Sequence, residues 1–212
     1  MIVLDTAFRK ETIDGFLDAL GSTSPAPGGG AAAGLLAAQA CALAEKVCAL
    51  TVTNPKYEAV HKEAEAWKGI FQDARSIMLD LMDEDAKNFS ALMAAYRQPK
   101  PADEEGQSAR TEAIQQALQK SAEAPAQMAQ AMADMMPLFT KVLQQGNANL
   151  ITDSIIAAQC AMAAVHAAIL NVRINLKSIK NDFYVREMED TIAAWEDACS
   201  AIDAVLTYQV TL

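Results

Sequence analysis

The sequence predicts an all-α fold, an up-and-down bundle of five to six long helices. Aromatic residues make up only 6% of the 212 residues, whereas alanine and methionine are abundant, a composition that favours closely packed helices over sheet. No stretch alternates polar and apolar residues over a useful length, and apolar residues repeat at helical spacing instead. Short connections separate the helical segments. We expect residues 1–212 to form a single helical domain.

Boundary signals divide the chain into its predicted helices. The first, amphipathic helix lies within residues 6–20 and places Phe8, Thr12, Phe16 and Leu20 in register. The other five are predicted at Ala31–Thr51, from about Lys56 to Tyr96, from about Glu105 to Gln144, from Leu150 to about Lys177, and from Asp182 to the C-terminus.

Prolines shape two of these helices. Pro55 ends the second helix, because the residue before a proline disfavours the helical conformation. Pro125 and Pro137 fall inside the fourth helix and should kink or interrupt it.

Charge and cysteine usage exclude several classes of protein. A formal net charge of −10 and a pI near 4.6 argue against general nucleic-acid binding, which needs a basic surface. The four cysteines, in apolar helical contexts without metal-ligand spacing, are predicted to be buried free thiols in a reducing compartment; they are Cys41, Cys48, Cys160 and Cys199. The N-terminus lacks a basic start followed by an apolar run, so we expect no signal peptide and a cytoplasmic protein.

Two stretches, residues 21–44 and 142–172, are almost free of charge. The first begins with a Pro/Gly loop and is mostly alanine, and the second contains several Asn and Gln residues, so neither resembles a membrane span. Each is better explained as a helix surrounded by other helices. Their small apolar surface exceeds what one bundle easily hides, which predicts a homodimer with the helices starting at Ala31 and Leu150 near its interface.

Asp85 breaks the apolar stripe of the third helix. It lies four residues after Leu81 and four before Phe89, so it faces the core, whereas Asp83 and Glu84 point elsewhere. A buried acid needs a partner, a shifted pKa or a function. Two interpretations remain open on this pattern: a structural hydrogen bond to a neighbouring helix N-terminus, or a functional carboxylate.

Asp153 near the start of the fifth helix is the second exception. It suits the helix dipole as an ordinary helix-start acid, but Asn171, eighteen residues on, returns to the same face across a lane of small residues. The two ends are about 27 Å apart, so one small ligand cannot touch both in one chain. Antiparallel fifth helices in a two-fold dimer would bring Asp153 of one chain toward Asn171 of the other.

Three further features leave the function open at this stage. The stretch STSPAPGGGAAAG, residues 22–34, is either a linker or a loop whose glycines bring backbone N–H groups close to a ligand at a helix N-terminus. His166 is predicted to be a satisfied core histidine, and His61 lies on a charged surface. No metal-ligand spacing, P-loop or serine–histidine arrangement is present in the sequence.

Four segments in this order resemble the cyclodeaminase/cyclohydrolase family of folate enzymes. They are STSPAPGGGAAAG, LTVTNPKYE, MDEDAKNF and GNANLITDSIIAAQCAMAAVHAAILNVRINL, and the resemblance covers nearly the whole chain. It implies an all-helical, dimeric fold with the folate site between subunits. It also implies one of two activities: cyclodeamination of 5-formiminotetrahydrofolate to 5,10-methenyltetrahydrofolate, or hydrolysis of 5,10-methenyltetrahydrofolate to 10-formyltetrahydrofolate.

The resemblance also assigns site residues. The catalytic candidates are Asp85, for proton transfer, and Asp153, which would pair with the cation or orient the pterin. The predicted substrate-binding residues are Ser24, Pro25, Pro27, Gly28, Gly29, Gly30, Lys56, Tyr57, Asn171, Asn175 and Asp182. The chain departs from the family pattern at Thr152, where serine is usual, and in the TNPKY turn, which lacks part of the family's positive charge.

The implied chemistry needs a proton shuttle and stabilisation of a delocalised cation, which a buried carboxylate can supply. It requires neither a metal nor a cofactor beyond the tetrahydrofolate substrate. The alternatives are a folate-binding relative without this activity and a helical interaction protein in which the glycine loop is only a connector. The sequence does not choose between deaminase and hydrolase, because both act on the same bridge carbon.

Overall fold

The protein is described here by a computed structural model covering residues 7–210, with side chains described for residues 7–207. Within that range it contains helices and no strand, which confirms the predicted all-α class. The α-helices are α1 Ile13–Leu20, α2 Gly29–Val52, α3 His61–Arg97, α4 Glu104–Gln145, α5 Ile151–Leu176 and α6 Asp182–Val210, with short 3₁₀ helices at Phe8–Lys10, Pro55–Val60 and Ala148–Leu150.

The start of the chain differs from the prediction. Instead of one helix over residues 6–20, a 3₁₀ turn at Phe8–Lys10 precedes α1, and residue 6 lies outside the described range. Thr12 is the N-cap of α1 rather than part of its apolar face, because its Oγ1 accepts a hydrogen bond from the Gly15 N–H at 3.0 Å. A capping threonine satisfies a backbone donor that has no partner within the helix.

Neither proline interrupts α4, which is continuous through Pro125 and Pro137. A proline inside a helix removes one N–H donor and costs stability. The buried residues of α4, among them Met128, Met132 and Phe139, compensate by packing in the central core. Phe139 lies 4.9 Å from Phe71 of α3, measured between ring centroids.

The alanine-rich helix α2 lies at the centre and packs against α3, α4 and α5. It approaches α3 closely at Gly34, where an added Cβ would lie 2.9 Å from the Met82 Cβ and 3.1 Å from the Met78 carbonyl oxygen. Small side chains let the helices approach closely, and flexible methionines fill the remaining gaps.

The cysteines largely follow the prediction. Cys41, Cys48 and Cys199 are buried, Cys160 is half-buried, and all four are free thiols. Burial raises the pKa of the Cys41 and Cys48 thiols to about 12. Thiols that stay protonated at neutral pH are unreactive packing residues.

By length and composition alone, α2 and the segment Ala148–Leu176 could each cross a membrane. In each, 44% of the most apolar 18-residue segment is buried inside this chain, and core helices of soluble proteins pass the same test.

The prediction for His166 is wrong: its side chain is exposed on α5 rather than in the core. It belongs to the side of α5 that faces away from the other helices.

Candidate active site at the N-terminus of α2

The loop before α2 is fastened to α3. Ala26 is buried in a small cluster with Phe8, Phe16 and Met82, and the two phenylalanine rings meet edge to face at 6.1 Å. The backbone N–H of Arg9 donates to Asp83 Oδ1 at 3.3 Å. These contacts hold the glycine-rich stretch in a fixed position, so it is not a free linker.

Asp85 on α3 sits directly against the first turn of α2. The backbone N–H of Ala31 donates to its carboxylate. A Cβ added to Gly30 would lie 2.3 Å from the carboxyl carbon and from both carboxylate oxygens. Gly30 therefore creates the space that the carboxylate occupies, and the helix N-terminus supplies a donor to it.

Burial raises the pKa of Asp85 from 3.8 to about 6, and the hydrogen bond from Ala31 opposes this shift. Desolvation disfavours the charged form, whereas a donor to the carboxylate favours it. A carboxyl group with a pKa near 6 can both accept and donate a proton close to neutral pH, as general acid–base catalysis requires.

Asp85 lies at the floor of a cavity of about 340 Å³. The cavity is formed by the glycine loop, α3, α4 and the C-terminal part of α5. Its lining residues are Pro25, Ala26, Gly28, Gly29, Gly30, Asp85, Ala86, Phe89, Leu92, Met93, Tyr96, Leu118, Ser121, Asn171, Ile174, Asn175 and Ser178. The volume is sufficient for a heterocyclic ring system.

Two asparagines give the cavity unused hydrogen-bond acceptors. Asn171 Nδ2 donates to the Ala167 carbonyl oxygen at 2.8 Å, and Asn175 Nδ2 donates to the Asn171 carbonyl oxygen at 2.8 Å. Only the NH₂ group of an amide can donate, so these bonds leave both Oδ1 atoms free to accept. Together with Asp85 they form an acceptor-rich wall, which suits a ligand whose edge carries N–H donors.

The structure brings together seven of the predicted site residues: Pro25, Gly28, Gly29, Gly30, Asp85, Asn171 and Asn175. Ser24 and Pro27 belong to the same loop but do not line the cavity. Asp182 is exposed as the first residue of α6.

The other three predicted residues lie toward the C-terminal end of α2, about 24–36 Å along that helix from the cavity. Asp153 Oδ2 forms an ion pair with Lys46 Nζ at 2.7 Å. The Tyr57 hydroxyl accepts a hydrogen bond from the Ala148 N–H at 2.8 Å, and Lys56 is its neighbour in the 3₁₀ helix that follows α2. A role for these residues at the cavity remains a prediction that needs a second subunit.

The sequence did not identify the apolar wall or the serines of the cavity. Phe89 and Tyr96 follow Asp85 on the same face of α3, so their spacing could have indicated an aromatic wall beside the carboxylate. Ser121 and Ser178 carried no comparable signal, because single serines are common on helices and turns.

Comparison with known proteins identifies the family. The family model described as formiminotransferase-cyclodeaminase matches residues 12–194, which is most of the chain. This chain belongs to that family. The matched range includes the loop, Asp85 and both cavity asparagines.

Individual relatives agree. The chain is 34% identical over 178 residues to the methenyltetrahydrofolate cyclohydrolase of Methylorubrum extorquens, covering 84% of this chain and 85% of that protein. It is 29% identical to the formimidoyltransferase-cyclodeaminase of Rattus norvegicus over 91% of its own length, but spans only 34% of the rat protein. The crystal structure of formiminotetrahydrofolate cyclodeaminase from Thermotoga maritima superposes with a TM-score of 0.82, at 29% identity and over 95% of this chain and 98% of that one.

Proposed function

We propose that this protein is a folate one-carbon enzyme that forms or opens the methenyl bridge of tetrahydrofolate. It either cyclodeaminates 5-formiminotetrahydrofolate, releasing ammonia, or hydrolyses 5,10-methenyltetrahydrofolate to 10-formyltetrahydrofolate. The observation that carries the proposal is the Asp85 carboxyl, whose pKa burial raises to about 6, at the floor of a cavity that also presents two free amide oxygens. Family membership supports the substrate class.

Both activities pass through a tetrahedral carbon between N5 and N10. In cyclodeamination N10 attacks the formimino carbon on N5, the N10 proton and one proton from solvent are transferred to the formimino nitrogen, and the bond between that nitrogen and the carbon breaks, so that ammonia leaves and the methenyl cation remains. In hydrolysis water attacks the bridge carbon and gives up two protons, one of which ends on N5 when the C–N5 bond breaks and the other in solvent. Each of the two reactions therefore needs a group that accepts and donates protons next to this carbon.

Asp85 is placed to move those protons. As the carboxylate it accepts a proton from water or N10, and as the acid it donates to N5 or to the departing ammonia. Its negative charge also stabilises the cationic methenyl bridge in a site partly shielded from water. The Ala31 N–H keeps the carboxylate oriented during both steps.

The cavity suits the rest of the substrate. The pterin edge carries N–H donors that match the free oxygens of Asn171 and Asn175. Phe89, Leu92 and Met93 provide apolar surface for the ring. The cytoplasmic location predicted from the sequence agrees with a role in folate metabolism and remains part of this proposal.

A spectrophotometric assay of the purified protein tests this function. With 5-formiminotetrahydrofolate a deaminase makes the methenyl absorbance appear, and with 5,10-methenyltetrahydrofolate a hydrolase makes it vanish faster than in buffer. The proposal predicts at least one of these activities. Tight binding of both compounds without turnover would instead identify a non-catalytic folate-binding protein, and no binding would reject the folate function altogether.

The pH profile gives a second test. Hydrolysis needs the base form of Asp85, so kcat/KM should fall about tenfold per pH unit below pH 6 and level off above it, since the pKa of Asp85 is about 6. The rate of the uncatalysed reaction is subtracted at each pH. A hydrolase whose kcat/KM stays constant between pH 5 and pH 7 would contradict the assignment of Asp85 as the base.

We also propose that the protein is a homodimer, because α5 presents an unpartnered apolar face. Ile156, Leu170 and Ile174 are large exposed apolar residues on this helix. Ile174 also lines the cavity, so the exposed face of α5 is continuous with the mouth of the site. A partner that covers this face would also close the cavity.

The spacing of the exposed residues favours a second copy of this chain as that partner. Ile156 and Leu170 each lie seven residues from Ala163, which is itself small and exposed. Antiparallel α5 helices crossing at Ala163 would therefore place Ile156 of each chain against Leu170 of the other, as a two-fold interface requires. The same arrangement moves the Lys46–Asp153 ion pair of one chain toward the cavity of its partner.

Leu170→Asp should convert the dimer to a monomer. Leu170 is 68% exposed and occurs twice in the interface. The substitution removes about 2 kcal/mol of binding free energy from apolar burial in each of the two subunits, which raises the dissociation constant about a thousandfold. The added charges raise it further. Sedimentation at micromolar concentration measures the change, and Ile77→Asp on the exposed side of α3 (52% exposed) is the control that should remain dimeric. A monomeric wild type, or a dimeric Leu170→Asp variant, would contradict this interface.

A further inference from the structure

Ser121 of α4 carries a hydroxyl without a partner in the protein. Buried or half-buried hydroxyls on the other helices donate to the carbonyl four residues earlier, as Ser90 does to Ala86 and Ser154 does to Leu150. The Ser121 hydroxyl makes no hydrogen bond to any residue within the described range. A buried hydroxyl that forgoes this bond loses stability unless something else satisfies it.

The position of Ser121 indicates what could satisfy it. The residue is only 3% exposed, yet it lines the cavity. Among the described residues no fully enclosed side-chain nitrogen or oxygen lacks a partner, so the Ser121 oxygen must reach the open space of the cavity. Its partner is therefore a molecule in the cavity, which is water in the empty site and the substrate when it is bound.

Pro125 removes the usual helical donor to the carbonyl of Ser121. In a helix the N–H of residue 125 would donate to the carbonyl of Ser121, but proline has no N–H. The preceding carbonyl, that of Lys120, accepts a hydrogen bond from Asn88 Nδ2 of α3 at 3.2 Å. This bond fixes α4 against α3 immediately beside Ser121 and one turn from Asp85, so the serine is held in place.

We propose that Ser121 is a substrate-binding residue whose hydroxyl hydrogen-bonds the pterin ring, a role that rests on the proposed folate function. The cavity has a floor and a mouth. Ser121, Leu92 and Asn175 form the buried part of the lining, the floor, and Tyr96 and Ile174 form its exposed part, the mouth. The Asp85 carboxyl lies against Gly30, which is also buried. The reacting nitrogens must meet Asp85, so the ring occupies the floor and the benzoylglutamate tail leaves through the mouth.

Ligand binding to the full-length protein tests this role. The probes are tetrahydrofolate, which has no bridge to react, and 6-methyltetrahydropterin, which is the ring without the tail. Ser121→Ala should raise the dissociation constant of both about tenfold, as expected for one lost hydrogen bond in a shielded site. The melting temperature should stay equal or rise, because the hydroxyl has no partner within the described protein and alanine favours helix.

Ser154→Ala is the matched control, since Ser154 is also a buried helical serine, at 4% exposure, and lies outside the cavity. It should leave both dissociation constants unchanged. Ser121→Cys, which nearly keeps the side-chain volume but hydrogen-bonds weakly, replaces the alanine variant if that one does not fold and should show the same loss.

Three results would overturn the proposal. Unchanged affinity of the Ser121 variants for both probes would show that the serine only packs in the core and does not contact the ligand. If the Ser121 variants bound tetrahydrofolate more weakly but 6-methyltetrahydropterin as tightly as the wild type, the hydroxyl would contact the tail of the substrate rather than its ring. A wild-type protein that binds neither probe would reject the folate function itself, and Ser121's role with it.

Discussion

Asp85→Asn is expected to lower turnover about 100-fold or more while leaving folding, dimerisation and folate binding intact. This loss is the usual scale for a missing general acid or base. Asparagine keeps the size of the side chain and can still accept the hydrogen bond from the Ala31 N–H. It cannot move a proton, so chemistry is lost and binding is retained.

The same substitution should stabilise the protein at neutral pH. The folded-state pKa of Asp85 is about 6 against 3.8 in the unfolded chain, so protonation favours the folded state. That contribution is complete below pH 4 and is lost as the pH rises through 6, which costs the wild type up to about 3 kcal/mol at pH 7. The unfolding free energies of variant and wild type, compared at pH 4 and pH 7, should therefore diverge with increasing pH.

Asp83→Asn is the internal control for Asp85. Asp83 lies two residues away and accepts a hydrogen bond from the Arg9 N–H, which asparagine can preserve, so turnover should stay near the wild-type rate. A purely structural Asp85 would give the opposite pattern, with Asp85→Asn misfolded or misassembled. Wild-type turnover in both variants would remove the carboxylate mechanism from Asp85 and leave Asp153 as the remaining candidate.

Gly30→Ala is expected to have the second largest effect. The new Cβ would lie 2.3 Å from all three atoms of the Asp85 carboxyl group, so no rotation of the carboxylate relieves the clash and the whole group must move. Displacement breaks the hydrogen bond from Ala31 and moves the carboxylate away from the bridge carbon. We expect turnover to fall at least tenfold and stability to fall by about 1–3 kcal/mol, the usual range for overpacking.

Gly69→Ala on α3 is the control for Gly30→Ala. A Cβ at Gly69 meets no atom within 4 Å, so the change should leave turnover unaffected and raise stability by about 0.5–1 kcal/mol through helix propensity. Wild-type kcat in folded Gly30→Ala would show that the position of the Asp85 carboxylate is not critical.

The fold and the inward-facing Asp85 were predictable because each has a local sequence signal, whereas the other cavity residues were assigned through the family resemblance. Helical periodicity predicted the long helices, and the acid within an apolar stripe predicted an inward-facing Asp85. The structure agrees in part with both interpretations of Asp85. Its carboxylate accepts a hydrogen bond from a helix N-terminus, and it also lines a cavity.

The role of the glycines needed the structure. The sequence left open whether the glycines form a linker or bring backbone N–H groups close to a ligand, and positive φ is the conformation for which glycine is usually needed. Among the described residues no glycine has a positive φ, and a Cβ at Gly29 would meet only the Asn171 amide, at 3.3 Å. The close approach that the structure shows is that of the Asp85 carboxylate to Gly30, and which of three successive glycines faces Asp85 depends on the packing of α2 on α3.

The remaining differences between prediction and structure depend on how distant helices pack against one another. His166 was expected in the core because it lies on a different face of α5 from Asp153, but that face is left uncovered by this chain. Asp153 lies far from Asp85 because α2 and α5 run antiparallel, and Lys46 neutralises it there. Its participation in the site requires the proposed second subunit, and the periodicity of one helix does not position that subunit.

A single-turnover experiment on Asp85→Asn tests the central claim most directly. The variant, in excess over 5,10-methenyltetrahydrofolate, is followed at the methenyl absorbance, the uncatalysed rate is subtracted, and binding is measured in the same sample by co-sedimentation. The proposed mechanism predicts that the compound is bound and its bridge persists, whereas the wild type opens the bridge of the bound compound or, as a deaminase, forms it from the 5-formimino compound. A variant that binds the compound and processes it at the wild-type rate would contradict the assignment of this chemistry to Asp85.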